Sequence, residues 1–506
     1  MLSPAFRQFI SGTDIRGVAS EGVPEEPINL TDENIDRFSS AFCLWLSRKT
    51  GRDCGRLSVS VGHDSRLSAG RISSVVIRRL RDSGVRVLDC GLCTTPAMFM
   101  TTRELNCDGS VQITASHHPF HRNGLKFFTK EGGLSGEDIL AILALAEEGA
   151  CPVQGQGNVE LIDFLARYAQ SLRCQIIEGI HAGDKPLQGF HIVVDAGNGA
   201  GGFYATQVLA PLGADISGSQ FLEPDGRFPN HIPNPENQEA MNSVSRAVVE
   251  AGADLGVIFD TDVDRAGCVD RDGKEINRNR LVALAAAIAL EDCPGGTIVT
   301  DSVTSAGLKA YIENTLGGKH YRFKRGYKNV IDEAVRLNNA GSPAPLAIET
   351  SGHAAFACHY FLDDGAYLAT RLIIKAAMLK REGRALSDLI RALPEPAEET
   401  ELRLPITETD FQAAGERIIA GLEQYARDHC WAVADDNREG LRVSFGTGEG
   451  DGWFLLRMSV HDPILPLNAE SDVSGGMKKI VGALYGYLQA CKGIDLSPVT
   501  AFLEKP

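Results

Sequence analysis

A serine in a polar loop is the first residue whose setting suggests chemistry. The segment VQITASHHPFHRNGLKFF (111–128) reads as a strand ending at Thr114, a loop carrying Ser116, and a second apolar run from about Gly124. Imidazoles and a cation stand near this serine: His117, His118, His121 and Lys126. A hydroxyl at a strand end among such groups is a candidate nucleophile or phosphate carrier. The alternative is a loop serine that makes local turn bonds. The chain has no G-x-S-x-G elbow, which disfavours a serine hydrolase.

Three aspartates follow a buried strand in LGVIFDTDVDRAG (255–267). Asp260, Asp262 and Asp264 are two residues apart, and in an extended chain this spacing places all three carboxylates on one side. Clustered like charges need a cation, and hard oxygen ligands favour Mg²⁺. The segment does not fit an EF-hand, because Arg265 replaces the required glycine. A solvated acidic turn is the alternative, but the strand directs the triplet to its carboxyl end, where open α/β sheets bind ligands.

Two further strand-end loops carry polar side chains. AIETSGHAAF (347–356) offers Glu349, Ser351 and His353 at alternate positions, a set suited to sugar hydroxyls, although a capped turn also explains it. GWFLLRMSVHDP (452–463) ends in Arg457, Ser459 and His461, a set suited to binding a phosphate through charge-assisted hydrogen bonds. KRGYK (324–328) adds three cations beside a glycine at a predicted helix start.

The elements that position these loops alternate between short apolar runs and longer helical stretches, which predicts βαβ units and mainly parallel sheets. We predict an α/β fold of four domains around a central cleft: three α/β domains with mixed, mainly parallel sheets, and a smaller C-terminal α+β domain. The predicted boundaries are 1–155 with the serine loop, 156–275 with the acidic loop, 276–393 with the sugar-type loop, and 394–506 with the phosphate-type loop.

Local patterns predict individual elements. Strands are expected at 57–62, 85–91, 214–219, 253–260, 296–301 and 345–350, with helices at 68–84, 410–429 and 471–490 and a helix reaching about residue 212. PEPAEETELRLP (394–405) is rich in Pro and Glu and predicts a linker before a movable last domain.

Composition excludes several classes of protein. The 506 residues are 43% hydrophobic with a net charge of −16, which excludes a disordered or collagenous chain and disfavours binding to nucleic acid or anionic membranes. Twelve cysteines without framework spacing predict a reducing compartment, and the lone Cys90-x-x-Cys93 pair lacks the partners of a zinc site. No signal peptide is visible and the longest apolar run, Leu281 to Leu290, is too short to span a bilayer, so we expect a cytoplasmic protein.

Together the motifs resemble the α-D-phosphohexomutase family in order and over nearly the whole chain. The matching segments are SGTDIRG (11–17), GHDSRLS (62–68), TASHHP (114–119), NGLK (123–126), DGRFPNHIPNPE (225–236), FDTDVDR (259–265) and ETSGH (349–353). The resemblance implies an intramolecular phosphotransferase that interconverts hexose 1-phosphate and hexose 6-phosphate, of mannose, glucose or both. Its partners would be small sugar phosphates.

The resemblance also implies roles for individual residues. Ser116 would be the phosphoserine and would bind one Mg²⁺ per chain together with Asp260, Asp262 and Asp264. Arg265 would stabilise this region, and Arg16, His117 and Lys126 would surround the transferred phosphoryl group. A hexose 1,6-bisphosphate would be the intermediate and activator. The residues implied for substrate binding are Glu349, Ser351, His353, Arg457, Ser459, His461 and Lys324.

The sequence departs from the family pattern at several positions. His118 replaces Asn, Thr261 replaces Gly, and Pro466 stands where many members have a second Arg. We expect His461, with Lys324 or Lys328, to compensate for this less cationic phosphate loop.

Other functions stay open at this point. Within the family they are phosphoglucosamine mutase and hexose 1,6-bisphosphate synthase. Outside it they are a metal-dependent phosphatase that uses Asp260 and Asp262 with Asp363 and Asp364, and a sugar-phosphate sensor without activity. The preferred hexose, the general acid and base, and the oligomeric state are not determined by these patterns.

Overall fold

The computed structural model describes residues 2–459 and 462–505. The chain forms two compact units, one of residues 1–281 with 351–389 and the other of residues 282–350 with 390–506. In the part of the chain that the structure describes, no helix combines the length and the apolar character needed to cross a bilayer.

The first unit begins with a mixed eight-stranded sheet flanked by helices. Its strands are β1 (Ile10–Ser11), β2 (Asp14–Val18), β3 (Ser58–His63), β4 (Arg86–Leu92), β5 (Gly109–Ile113), β6 (Arg122–Thr129), β7 (Gly132–Gly133) and β8 (Val159–Leu161). Its helices are α1 (Pro4–Arg7), α2 (Asp32–Thr50), α3 (Ala69–Asp82), α4 (Thr95–Glu104), α5 (Gly136–Glu147) and α6 (Phe164–Ile180). The strand order is β1-β2-β6-β5-β3-β4-β8, with parallel pairs from β5 to β8 and antiparallel pairs from β1 to β5.

Helix α3 illustrates why these segments fold as they do. Ile72, Val76 and Leu80 recur at helical spacing and are buried against the sheet, while its arginines stay at the surface. The N-terminus of α5 is closed by a capping box between Ser135 and Asp138.

A second sheet of the first unit carries the acidic loop. It contains β9 (Ile192–Asp195), β10 (Leu255–Phe259), β11 (Ala266–Asp270) and β12 (Glu275–Ile276), with α7 (Gln238–Ala251) on one face. Strands β9 and β10 are parallel, and the other two pairs are antiparallel. Strand β10 is buried along its whole length, as its apolar run predicts.

One predicted element in this region is wrong. Residues 214–219 contain one isolated bridge, at Asp215, rather than a strand, because Asp215 accepts a hydrogen bond from Ser217 N and Gly218 has a φ of 81°. The helix predicted to reach about residue 212 is present, and its last turns are a π-helix (Tyr204–Leu209) and a 3-10 turn (Ala210–Leu212).

The chain crosses into the second unit within helix α8 (Asn279–Asp292). There it forms the parallel strands β13 (Thr297–Thr300), β14 (Lys319–Arg322) and β15 (Leu346–Ile348), with the helices α9 (Ala306–Ala310) and α10 (Tyr327–Asn339). Residues 351–389 belong to the first unit and contain β16 (Ala354–Phe356) and α11 (Gly365–Arg381), which packs on α6.

The C-terminal part of the second unit is an antiparallel sheet covered by helices. Its strands are β17 (Glu398–Pro405), β18 (Ala432–Val433), β19 (Leu441–Phe445), β20 (Gly452–Leu456) and β21 (Ile464–Ser471). Its helices are α12 (Phe411–Asp428), α13 (Gly476–Leu488) and α14 (Ser497–Glu504). The α/β fold class with a smaller C-terminal α+β part is confirmed.

The prediction of a linker over 394–405 is wrong for its second half. Residues 398–405 form strand β17, which pairs with β21 along its full length. Alternate residues face the core there, so Leu402 and Leu404 pack against it while Glu399 and Glu401 point outward. These two of the glutamates that suggested a linker lie on the outer face of a strand.

Candidate active site

Ser116 lies in the loop that follows β5, and its hydroxyl donates a hydrogen bond to Asp260 Oδ2 over 2.9 Å. Asp260 is the first residue after β10 in the second sheet. Ser116 is 3% exposed and Asp260 is fully buried. The structure therefore brings together a serine and an aspartate that are 144 residues apart in sequence.

The backbone of Ser116 is left-handed, with a φ of 49°. Residues other than glycine rarely adopt this conformation, and where they do so it is held by surrounding contacts. Thr114 Oγ1 accepts the Ser116 N–H at 2.9 Å, which fixes one side of the turn. His117 Nδ1 lies 3.3 Å from the Ser116 hydroxyl. Burial and the charge of Arg265 lower the pKa of His117 well below its usual range, so the ring is neutral at pH 7.

Asp260, Asp262 and Asp264 are buried, and an oxygen of each lies within 4.8 Å of the others. They do not follow each other in an extended strand as predicted, because the chain turns and Val263 has a φ of 69°. Among the described residues, Oδ1 of Asp262 and Oδ1 of Asp264 are buried without a hydrogen-bond partner. Thr95 at the start of α4 donates its hydroxyl to Asp262 Oδ2 and its N–H to the Asp262 carbonyl.

Nearby positive charges compensate the aspartates of this cluster to different degrees. Burial, reinforced by the charges of Asp264 and Asp262, raises the pKa of Asp260 well above its usual range. Burial also opposes the ionisation of Asp264, but the Lys126 ammonium at 2.8 Å, together with the charges of His353 and Arg265, outweighs it and the pKa of Asp264 is lowered. Uncompensated buried carboxylates with orphaned oxygens are the donor set that a hard divalent cation satisfies.

Arg265 and His353 join the same cluster from the other end of the acidic loop. Arg265 Nε donates to His353 Nε2 over 2.8 Å, and His353 Nδ1 lies 2.6 Å from Asp363 Oδ2. His353 therefore contacts the arginine of the acidic loop, although its motif grouped it with the sugar-type residues. Arg16 on β2 is paired with Asp14 at 2.6 Å.

The second unit holds another polar cluster. Glu349 directly follows β15 and accepts the Gly326 N–H at the start of α10 over 2.6 Å. Asp301 directly follows β13 and accepts the Thr350 hydroxyl at 2.8 Å. Burial raises the pKa of Asp301 to about 7, with Glu349 adding to the effect and Arg325 opposing it.

Arg457 belongs to this second cluster. It is 5% exposed, and burial and the nearby charge of Arg325 lower its pKa. Glu439 accepts hydrogen bonds from Ser302 Oγ at 2.5 Å and from Arg325 N at 3.0 Å. Ser459 Oγ accepts the Asp462 N–H at 3.2 Å.

Two sequence-predicted binding residues are not part of this cluster as described. Lys324 is exposed, whereas its neighbour Arg325 carries the charge that acts on Asp301 and Arg457. Lys328 pairs with Asp332 in α10. His461 lies outside the described residues. The pattern KRGYK showed that a cation was present but not which one faces inward, and Glu439 had no sequence signal at all.

The acidic pair suggested for a phosphatase is already engaged. Asp364 caps the N-terminus of α11 and accepts hydrogen bonds from the Tyr168 hydroxyl and from His359. Asp363 is bonded to His353. These contacts give Asp364 a structural role and weaken the phosphatase alternative.

A serine held against buried acids at the ends of α/β sheets is the arrangement of a phosphoryl-transfer centre. Comparison with known proteins points to the same class of enzyme. The phosphoglucomutase/phosphomannomutase α/β/α domain families I, II and III match residues 7–150, 167–273 and 277–397. The phosphomannomutase/phosphoglucomutase of Pseudomonas syringae pv. tomato is 32% identical over 460 residues, covering 90% of this chain and 92% of that protein. The phosphoglucomutase of Neisseria gonorrhoeae is 30% identical over 477 residues, covering 94% and 95%.

A solved structure gives the same result. The crystal structure of a phosphoglucomutase/phosphomannomutase family protein from Burkholderia thailandensis has a TM-score of 0.78 and 28% sequence identity, and the match covers 97% of this chain and 98% of that one. The chain belongs to the phosphoglucomutase/phosphomannomutase family of α-D-phosphohexomutases.

Proposed function

We propose that this protein is a hexose phosphate mutase that moves a phosphoryl group between the 1- and 6-hydroxyls of glucose, mannose or both. The observation that carries the proposal is the hydrogen bond from the Ser116 hydroxyl to Asp260, beside two further buried aspartates and Lys126. A serine in this setting is placed to carry phosphate rather than to attack an acyl group, since cations and a metal-type site surround it.

The donor set fits a magnesium ion. Asp260, Asp262 and Asp264 supply oxygen atoms within 4.8 Å of one another, and two of their oxygens have no partner among the described residues. We propose that these three side chains hold Mg²⁺ together with an oxygen of phosphorylated Ser116. The ion, when bound, offsets the negative charge that builds up on the transferred phosphoryl group.

The residues around Ser116 perform the transfer in this proposal. The bond between Ser116 Oγ and phosphorus breaks while a sugar hydroxyl oxygen forms the new bond to phosphorus, and the proton of that hydroxyl ends on Ser116 Oγ. His117, which is neutral and 3.3 Å from Ser116 Oγ, is placed to carry this proton, with Lys126 as the other candidate. Arg16, Lys126 and Arg265 supply positive charge to the phosphoryl oxygens.

The reverse transfer then completes the cycle. The sugar, now a hexose 1,6-bisphosphate, returns its other phosphoryl group to Ser116, so that the enzyme is phosphorylated again and the product carries phosphate at the other end. The same bisphosphate also restores enzyme that has lost its phosphate, which makes it an activator.

The second unit supplies groups for the sugar and for the phosphate that is not being transferred. We assign sugar hydroxyls to Glu349 of this unit and to Ser351, which belongs to the first unit. We assign the phosphate to Arg457, Ser459, Lys324 and His461. Arg325 is added to this set because its charge acts directly on Asp301 and Arg457. His353 is assigned to the sugar as its motif implies, acting from its contact with Arg265.

Two broader assignments follow the same reasoning. The boundaries 1–155, 156–275, 276–393 and 394–506 are proposed as four domains. Among the described strands, two do not fit these bounds: β8 pairs with β4 of the first range but lies just beyond residue 155, and β12 (Glu275–Ile276) spans the second boundary. A cytoplasmic location is proposed because all twelve cysteines are free thiols.

Ser116→Ala tests the proposal. A coupled assay with glucose 1-phosphate, mannose 1-phosphate and glucosamine 1-phosphate, each with Mg²⁺ or EDTA, should show turnover by the wild type that the variant lacks. Ser39→Ala is the matched control, because among the described residues the Ser39 hydroxyl donates its hydrogen bond to the Ile35 carbonyl within α2, and its loss should leave turnover intact.

Each other outcome has a definite meaning. A Ser116→Ala enzyme that keeps most of its turnover contradicts the proposal. Phosphopeptide mapping that finds phosphate on Asp260 instead of Ser116 favours the phosphatase alternative. Turnover of glucosamine 1-phosphate alone assigns the protein to the phosphoglucosamine mutases.

A further inference from the structure

Arg66 is buried beneath the loop that carries Ser116. It follows β3, is 2% exposed, and points its guanidinium at the loop from the protein interior. Its two terminal nitrogens donate to four backbone carbonyls of this loop, those of Ser116, His118 (2.6 Å), Pro119 (2.8 Å) and Arg122 (2.8 Å). One side chain therefore holds the carbonyl side of the whole turn.

These contacts act on Ser116, whose backbone conformation is unfavourable for a residue other than glycine. Ser116 has a φ of 49°, which an ordinary residue keeps only when its surroundings enforce it. Its N–H is held by Thr114 Oγ1, and its carbonyl is held by Arg66. With both backbone groups fixed, the hydroxyl is directed at Asp260.

Asp64 in turn fixes Arg66 from within the same domain. Both side chains are completely buried, with Arg66 Nε 3.3 Å from Asp64 Oδ2. Asp64 also accepts the Arg66 N–H at 2.9 Å and the Thr114 hydroxyl at 2.7 Å. The same carboxylate thus holds both residues that bind the backbone of Ser116.

The loop that precedes α7 and contains Gly226 and Phe228 packs against the other side of Arg66 and its turn. The Phe228 ring centre lies 5.3 Å from the guanidinium carbon. Gly226 packs so tightly on the turn that a Cβ there would lie 2.4 Å from Leu67 N and 2.5 Å from Ser65 O. No side chain fits at residue 226, and the turn that carries Arg66 cannot shift without moving this loop.

We propose that Arg66 is a positioning residue for phosphoryl transfer, which acts by holding Ser116 in the conformation that aims its oxygen at the acidic cluster. The inference rests on the proposed mutase function and adds a residue that does not touch substrate. Lysine cannot replace arginine here, because an ammonium donates from one point whereas four carbonyls are reached by a planar fork. A misplacement of about 1 Å in a reacting group lowers the rate about 100-fold.

The test compares Arg66→Lys with Arg71→Lys. Arg71 is the matched control, since it also donates to two backbone carbonyls, those of Ala19 and Leu30, but in a different loop of the same domain. The measurements are kcat and KM with glucose 1-phosphate, and the rate at which glucose 1,6-bisphosphate phosphorylates Ser116, followed by intact mass. We expect Arg66→Lys to lower kcat and the phosphorylation rate about 100-fold and to change KM less than about 3-fold. Arg71→Lys should stay within about 3-fold of the wild type in all three.

Gly226→Ala keeps the inference testable if Arg66→Lys does not fold, as judged by circular dichroism. This variant removes no donor, yet its methyl group displaces the turn of Arg66, so it should lower kcat with little change in KM. Folded Arg66→Lys with wild-type kcat, or with a raised KM and unchanged kcat, overturns the inference. If Arg66→Lys does not fold, wild-type kcat in Gly226→Ala overturns it.

These outcomes separate the inference from the function on which it rests. A wild type that turns over sugar phosphates, with an inactive Ser116→Ala, establishes the mutase function whatever Arg66→Lys does. A wild type without turnover overturns both.

Discussion

Lys126 is ion-paired with the acidic cluster, and Lys126→Met tests how much the cluster depends on this charge. The ammonium is 2.8 Å from Asp264 Oδ2, and the two side chains are 4% and 1% exposed. Methionine keeps most of the length of the side chain and removes the charge. The variant therefore leaves Asp264 as a buried carboxylate beside two other acids.

The expected magnitude follows from this burial. Removing one partner of a buried ion pair costs about 3–5 kcal/mol, because the remaining charge is left without compensation. A free-energy change of 1 kcal/mol shifts Tm by about 2–4 °C in domains of about 150–250 residues, so a drop of about 6 °C or more is expected in EDTA. Mg²⁺ replaces part of the missing charge, and it should raise the Tm of the variant by more than that of the wild type.

Thermal unfolding of both proteins in EDTA and in Mg²⁺ is the assay. Lys380→Met is the control, because Lys380 pairs with Asp254 in the same unit but is 38% exposed, and it should cost about 1 kcal/mol or less. Lys126→Met with the wild-type Tm in EDTA, or with the wild-type response to Mg²⁺, would refute the electrostatic reasoning.

Two further predictions concern stability. Burial raises the pKa of Asp64 to about 6, whereas an aspartate in an unfolded chain has a pKa of about 3.9. The folded protein therefore keeps a proton that the unfolded chain loses between these pH values, and stability falls as pH rises through this window. Asp64→Asn has no carboxyl group to titrate at this position. Urea unfolding should therefore show the wild type losing stability relative to Asp64→Asn from pH 4 to pH 6. Parallel pH profiles of the two proteins would contradict this prediction. Asp436→Asn removes the partner of Arg322, which is 6% exposed and 2.6 Å from Asp436. It should lower the Tm of the second unit and speed its proteolysis, whereas Arg427→Gln, at an exposed pair with Glu423, should change neither.

Much of the fold was predictable because short-range patterns determine it. Apolar runs such as 255–259 form buried strands, and the helical spacing of apolar residues in 69–82 forms an amphipathic helix. The failures are also local. Glutamates at 398–401 suggested a linker, but pairing with β21 made a strand, since an antiparallel strand with one solvated face accommodates alternating charges. At 214–219, side-chain bonds of the turn competed successfully with strand pairing.

The candidate site was likewise predictable only in part from the sequence. The residue types at Ser116, at the three aspartates and at Lys126 identify phosphoryl chemistry, because a hydroxyl, hard oxygen ligands and a cation are required whatever the fold. Only the tertiary structure decided that Ser116 donates a hydrogen bond to Asp260 and that Arg265 donates one to His353. It also decided that Arg325 rather than Lys324 faces the buried acids. It also gave Arg66 and Glu439 their partners. The sequence specifies which side chains are present, whereas the distance between two side chains far apart in sequence depends on how whole sheets and loops pack.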